Sequence, residues 1–376
     1  MLNRIHLENF KASRDVNIRL GPLTVLAGLN SSGKSTLLQA IGAIRQSYDL
    51  SGNSNGLSLA GQLVHLGQFR DILSEGASGD AVAITLEEDG KSLKWVARGK
   101  PDANRVKFEE VPPELPAFVS SPHFQFLQAD RIVPKTLFSQ APQQARDEGF
   151  LGRHGEYTVD FLSNESNRTV NQLRTFPRTG FGIDEALLGK VAPTASLIDQ
   201  VAGWFQQISP GSQIYTDRVP GTDEVLLQFS YVGKYRDTKS NFYRPTNVGF
   251  GLTYSLPIIV ACLAASKGAL LLLENPEAHL HPQGQAKLGE LIARCANDGV
   301  QIIVETHSDH LLNGVRLAVK SKLVSSEDVV LHFFSRPVDT GEVSVQTPAV
   351  LENGRLSNWP PGFFDQWDKD VMSLLE

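Results

Sequence analysis

With two cysteines and two methionines among 376 residues, the chain has no material for a disulfide framework, and Cys262 and Cys295 form no CxxC metal pair. Both lie in apolar surroundings, which fits a reducing compartment. Long apolar runs are lacking too: MLNRIHLENF contains no signal-peptide core, and the most apolar later stretch is interrupted by Pro257, Ser266 and Lys267. A cytoplasmic protein without a membrane span is expected. An excess of positive charge is also missing. The net charge is −6 and the pI about 5.9, so the general field that favours nucleic acid is absent and charge does not support DNA binding. Between Arg131 and Lys190 basic and acidic side chains roughly alternate, which reads as a solvated surface. No internal repeat or sustained heptad occurs, which excludes a long coiled coil. What remains, 41% hydrophobic and 20% charged residues, is ordinary for a folded globular chain.

The most specific feature present is GLNSSGKST at 28–36, a complete GxxxxGK[ST] pattern. Leu23 to Ala27 before it reads as a buried strand. Leu37, Leu38, Ile41 and Ile44 after it have helical spacing. In that context the glycines let backbone N–H groups curl around phosphates, with Asn30, Ser31, Ser32, Gly33, Lys34, Ser35 and Thr36 as the cradle. Lys34 brings a point charge, and the Ser35 hydroxyl suits Mg²⁺. ATP with Mg²⁺ is the expected ligand.

A second element is LLLLENPE at 270–277. A hydrophobic strand ending in Glu274 puts a carboxylate at a sheet's C-terminal edge, where it can serve Mg²⁺ and its bound water. After the next apolar run, Val300 to Val304, comes Thr306-His307, and His307 is placed to hydrogen-bond a γ-phosphate or the attacking water. His279 and His281 form HxH, but no third ligand stands at metal spacing, so zinc is not assigned.

Periodicity supplies the rest. Ile5, Leu7 and Phe10 begin an extended segment, 49–62 reads as an exposed loop, and alternating runs around Asp89-Gly90 predict a hairpin. Region 135–245 is mixed, with helical spacing from Leu197 to Ile208 and a strand from Glu224 to Tyr231. A helix is expected from Leu256 to about Ala265, a strand at Ala269 to Leu273, and another at Val329 to Phe334. Helices alternating with all-apolar strands indicate an α/β protein with a mostly parallel sheet flanked by helices. An antiparallel β subdomain and an inserted helical or mixed lid would complete it. The expected segments are an N-terminal ATPase lobe at 1–134, the lid at 135–245 and a C-terminal lobe at 246–376.

The opening IHLENFKASRDVNIRLGPLTVLAGLNSSGKSTLLQAI, ENPEAHLHPQGQ, ETHSDHLLNGVR and the tail WPPGFFDQWDKD together resemble a group of prokaryotic AAA-type ATPases of the ABC-type P-loop class. These are akin to the ATPase half of the overcoming-lysogenisation-defect (OLD) nucleases and to SMC heads. The resemblance covers both ends well and only pieces of the middle, such as FLQADRIVP and GRHGEY. It implies a dimer that sandwiches ATP against a partner's signature segment. NVGFGLTYSLP looks like that segment, with Asn247, Gly249, Gly251 and Thr253 in the signature role, and Gln68 would link Mg²⁺ to the inserted region. SMC-type relatives carry Asp-Glu where this chain has Glu274-Asn275. The usual general base would sit at 275, and asparagine cannot accept a proton. The expectation is that Glu274 organises Mg²⁺ while Glu277 or His307 orients water, giving a slow ATPase.

About seventy residues follow His307, too few for the nuclease domain of the OLD relatives. The reading is therefore an ATP-hydrolysing, dimerising switch, the ATPase subunit of a prokaryotic anti-phage defence or DNA-transaction complex whose effector, such as a nuclease, is a separate protein. The alternative is an ATP-binding scaffold that scarcely hydrolyses and holds a partner protein or nucleic acid. A transporter subunit would need a standard LSGGQ signature, which is not evident.

Overall fold

A computed structural model describes the chain except residues 50, 78, 178–184, 233–240, 338–340, 361, 364–370 and 375–376. It divides into two compact units: Met1–Ser121 with Gln301–Asp309 and Val319–Glu376, and Pro122–Val300 with His310–Ala318. The architecture is α/β with an antiparallel subdomain, as expected from the sequence.

In the first unit, strand Leu23–Gly28 is flanked by Gln301–Thr306 and by Val329–Ser335, both parallel to it, with Ser344–Gln346 antiparallel at the outer edge. Burial on both faces explains why these strands read as continuous apolar runs. Leu23, Val25, Ile302, Val304 and Leu331 are all fully buried, each contributing on the order of 1.5–3 kcal/mol of apolar burial. Helix Lys34–Gln46 lays Leu37, Leu38, Ile41 and Ile44 into this core. A second, antiparallel sheet runs Ser13–Arg19, Leu2–Phe10, Ala81–Glu88, Lys91–Arg98, Phe108–Glu110. Its central hairpin turns at Asp89-Gly90, both at positive φ (51° and 81°), the backbone that a two-residue DG turn supplies.

The segment 49–62 departs from its expectation as an exposed loop. Leu57 and Leu59 are buried, Leu57–Ser58 pairs with Arg105–Val106, and the Gln46 side chain donates to the Ser58 and Val64 carbonyls. A long-range amide anchor of this kind has no periodic signal in the sequence. In the C-terminal tail, Phe363 is buried and meets both Phe333 and Trp359 edge-on at 5.0 Å. Residues 361 and 364–370 of the tail motif lie outside the described residues.

In the second unit, Phe124–Leu127 and Leu270–Glu274 pair in parallel. Leu137–Ser139, Glu224–Tyr231 and Ser212–Arg218 make a three-stranded antiparallel sheet. The central element is helix Phe250–Ala264, buried from Gly251 through Leu263, with helices Thr158–Asn164, Leu197–Phe205 and Pro282–Asn297 around it. A helix apolar on every side belongs inside. It starts six residues before the Leu256 expected from the sequence, because Pro257 reads as a helix start whereas the helix runs through it. The preceding turn is held by Ser255 Oγ donating to the Gly251 carbonyl at 2.6 Å. Arg131 and Arg174, expected on a solvated surface, are instead buried, Arg174 in an ion pair with buried Asp298 at 2.8 Å. No helix among the described residues is long and apolar enough to cross a membrane.

Candidate functional site

In the first unit the phosphate loop springs from the end of strand Leu23–Gly28. Gly28 has φ 142°, and a Cβ there would lie 2.2 Å from the Phe334 carbonyl oxygen, so no side chain fits. The chain then turns through Ser31 at φ 60° and Gly33 at φ 99° into helix Lys34–Gln46, whose first turn holds no acid. Ser32 Oγ donates to the Leu29 carbonyl at 2.7 Å and ties the loop to itself. The amide N–H groups of Asn30, Ser31, Ser32 and Gly33 make no backbone hydrogen bond among the described residues. Asn30 and Ser31 are exposed, Ser32 and Thr36 buried. Bare amides at a positive helix end form a fitting cradle for an anion.

Lys34 is buried. Its Nζ donates to the Gly28 and Leu29 carbonyls at 3.0 and 2.7 Å, and lies 3.7 Å from Glu305 Oε1. Glu305 was not among the residues expected from the sequence. It is 5% exposed and also accepts the Ser35 hydroxyl, while its Oε2 has no hydrogen-bond partner among the described residues. Burial raises its pKa, and the Ser35 hydrogen bond and Lys34 charge only partly offset that. The available signal was an acid at a strand's end two residues before His307. His307 itself touches the loop: its pKa is lowered, by partial burial first and by Lys34 next, against a hydrogen bond with the Gly28 backbone. The imidazole is thereby kept neutral and able to exchange a proton. Gln68 precedes the short helix Phe69–Ile72; its N–H donates to Asp71 Oδ2 at 2.7 Å, and its own Oε1 is buried without a partner among the described residues. The Ser35 hydroxyl and the Glu305 carboxylate beside Lys34 are hard oxygen donors that fit a divalent cation beside a triphosphate.

In the second unit Glu274 closes its strand, and its Oε2 accepts the Ala129 N–H at 3.1 Å. Arg131, expected on a solvated surface and not in the site, holds the turn that follows. Its guanidinium donates to the carbonyls of Glu274 at 2.6 Å, Asn275 at 2.7 Å, Gln128 at 2.9 Å and Tyr254 at 3.2 Å, and stacks over the Tyr254 ring. Burial pulls it down to about 10, still charged at neutral pH. Asn275 takes φ 43° with its Oδ1 buried and unpartnered among the described residues, and Glu277 is 7% exposed.

The signature-like segment meets this turn. A Cβ on Gly251 would lie 2.8 Å from the His279 carbonyl, and the His279 ring packs with Phe250 and Tyr254 at 4.6 and 4.7 Å. Gly251 and Thr253 are buried, whereas Asn247 and Gly249 are exposed. The structure thus groups the phosphate loop with Glu305 and His307 in one unit. In the other it groups Glu274, Asn275 and Glu277 with the start of helix Phe250–Ala264.

Residues 23–313 match the family described as "AAA domain, putative AbiEii toxin, Type IV TA system". The chain belongs to this AAA-domain family. Residues 324–374 match a second family, described as a protein of unknown function (DUF3696). A stretch of 41 residues is 46% identical to an OLD nuclease of Thermus scotoductus, covering 11% of this chain and 8% of that protein's length. Among solved structures, the chain is similar to an SmcHead bound to the C-winged helix domain of ScpA, with TM-score 0.51 and 15% identity over 93% of this chain and 98% of that one. It is also similar to an Smc head domain with an extended coiled coil bound to the C-terminal domain of ScpA derived from Pyrococcus furiosus, with TM-score 0.50 and 12% identity over 100% of both chains. These likenesses establish the ABC-type P-loop ATPase fold of SMC heads for this AAA-domain family member.

Proposed function

We propose that the chain binds ATP with Mg²⁺ and hydrolyses it slowly, as a nucleotide-dependent switch that dimerises across the bound nucleotide. The observation that carries this reading is the phosphate loop: four bare amides from Asn30 to Gly33, and Lys34 held at the Gly28 and Leu29 carbonyls. Lys34 and those amides take the phosphates. In the phosphate-loop unit Ser35 is the proposed Mg²⁺ ligand, with Gln68 as a further one, and the cation when bound would neutralise charge on the phosphates; in the other unit Glu274 is the proposed acidic metal ligand. Glu277 or His307 orients the attacking water, since Asn275 cannot accept its proton. Asn247, Gly249, Gly251 and Thr253 form the segment that faces a partner's nucleotide, Asn247 and Gly249 presenting its exposed surface. The resemblance to OLD nucleases and the toxin description of the AAA-domain family support a role as the ATPase subunit of a prokaryotic defence complex, with a separate effector protein.

Equilibrium titration with ATP and Mg²⁺ tests this directly. Lys34→Ala should weaken binding roughly 10- to 100-fold, the equivalent of losing charge-assisted hydrogen bonds of about 1.5–3 kcal/mol. Wild-type protein with no measurable affinity would end the reading. A second reading, an ATP-held scaffold with negligible turnover, is favoured by Asn275 alone. Phosphate release at saturating nucleotide separates the two.

A further inference from the structure

We propose that Glu305 is a positioning residue that makes the phosphate loop discriminate between the magnesium complex of a nucleotide and the bare triphosphate. This rests on the nucleotide-binding reading above and adds to it a residue and a selectivity.

Within 28–36 Lys34 is the sole charged side chain. Glu305 Oε1 stands 3.7 Å from its Nζ, and both groups are buried. The loop therefore carries its own counter-charge, and an incoming triphosphate meets a cradle whose single cation is already balanced. It also meets a carboxylate at close range, where Coulomb repulsion is poorly screened. That one negative charge penalises bare triphosphate.

The same carboxylate becomes favourable once a divalent cation accompanies the phosphates. The Ser35 hydroxyl points its hydrogen toward Glu305, which leaves the Ser35 oxygen lone pairs free for a cation. Glu305 Oε2, buried and without a hydrogen-bond partner among the described residues, is an unused acceptor for water on that cation. A buried carboxylate oxygen left unmet is costly in the empty protein, and a hydrated cation would meet that need. One residue thus opposes the metal-free ligand and supports the metal-bound one.

The test is titration of the full chain with ATP in excess EDTA and in excess MgCl₂, comparing wild type, Glu305→Gln and Glu305→Asp, with melting temperatures recorded alongside. Gln keeps the shape and removes the charge. Glu305→Gln should bind ATP in EDTA about tenfold tighter than wild type, the scale of one contact-distance charge in a partly screened site, and should lose most of the gain that MgCl₂ brings. Glu305→Asp, which keeps the charge, should retain most of the wild-type ratio of the two affinities. Should Glu305→Gln fold poorly, Glu305→Ser removes the charge as well and carries the same expectation. A ratio unchanged in the uncharged variant, or affinities that fall together in both buffers, would overturn the proposal. Wild type that binds no ATP in either buffer would instead overturn the nucleotide-binding reading beneath it.

Discussion

The Arg131 guanidinium donates to the Glu274 carbonyl oxygen at 2.6 Å from a position 143 residues earlier in the chain. The same group reaches the carbonyls of Asn275 and Tyr254. One buried side chain therefore fixes both the turn after the Glu274 strand and the first turns of helix Phe250–Ala264. Arg131→Ala would take a donor from each of those carbonyls, leaving Asn275, among the described residues, only the Ala278 N–H at 3.2 Å, and a loss of about 2–4 kcal/mol in unfolding free energy is expected by chemical denaturation. Arg131→Lys should not restore it, because an ammonium cannot span four acceptors held by a planar fork. Full stability in the Lys variant would contradict the clamp.

At Gly28 the expected outcome concerns binding as well as stability. Gly28→Ala pushes a methyl carbon to 2.2 Å from the Phe334 carbonyl oxygen at φ 142°, so the loop must shift. Backbone strain of about 1–3 kcal/mol should appear as a lower melting temperature, together with weakened nucleotide affinity. Unaltered affinity in calorimetric titration would show that the loop's seat on its strand is dispensable.

Position 275 bears on the rate. If turnover is slow because asparagine replaces the general base, Asn275→Glu should raise phosphate release roughly a hundredfold, the lower range for general base catalysis. The φ of 43° at this position will cost the variant some stability, so rates should be compared at matched folded fractions. An unchanged rate would assign the task to Glu277 or His307.

His332 should make the fold acid-sensitive. It is buried, its Nε2–H donates to the Arg19 carbonyl at 2.7 Å, and its Nδ1 accepts from the Thr347 hydroxyl at 2.9 Å. Those partners suit the neutral ring, and burial lowers its pKa below the ordinary 6.5. A depressed folded-state pKa means that the unfolded chain takes up the proton first. Its stabilisation is complete above pH 6.5 and declines as pH falls through that value toward the folded pKa. His332→Gln should flatten the stability difference between pH 7.5 and pH 5 in urea titrations; an equally steep difference would point to other groups.

How much of this was visible in the sequence follows from how local each signal is. The phosphate loop, the Asp89-Gly90 hairpin and the Glu274 strand are written in adjacent residues, because glycine conformations, turn types and buried strands each need only a short window. Glu305 is not legible because the apolar run ends at Val304, whereas the strand continues to Thr306, carrying the acid to Lys34. Arg131 escaped for the opposite reason: its acceptors are backbone carbonyls, which leave no mark on residue type, and most of them lie over 120 residues away. The start of helix Phe250–Ala264 is hidden by Pro257, which reads locally as a helix start, whereas burial on all sides carries the helix through it.

Helices Pro282–Asn297 and Asp309–Lys320 touch backbone to backbone at Gly289 and Gly314, where an added methyl group would sit 2.3 Å from the Leu311 carbonyl oxygen and 2.0 Å from that of Ala286. Two rods in such intimate contact cannot rotate independently, since each would drive its own ridge into the other's main chain. A turn of either helix about its own axis would therefore have to carry the other with it.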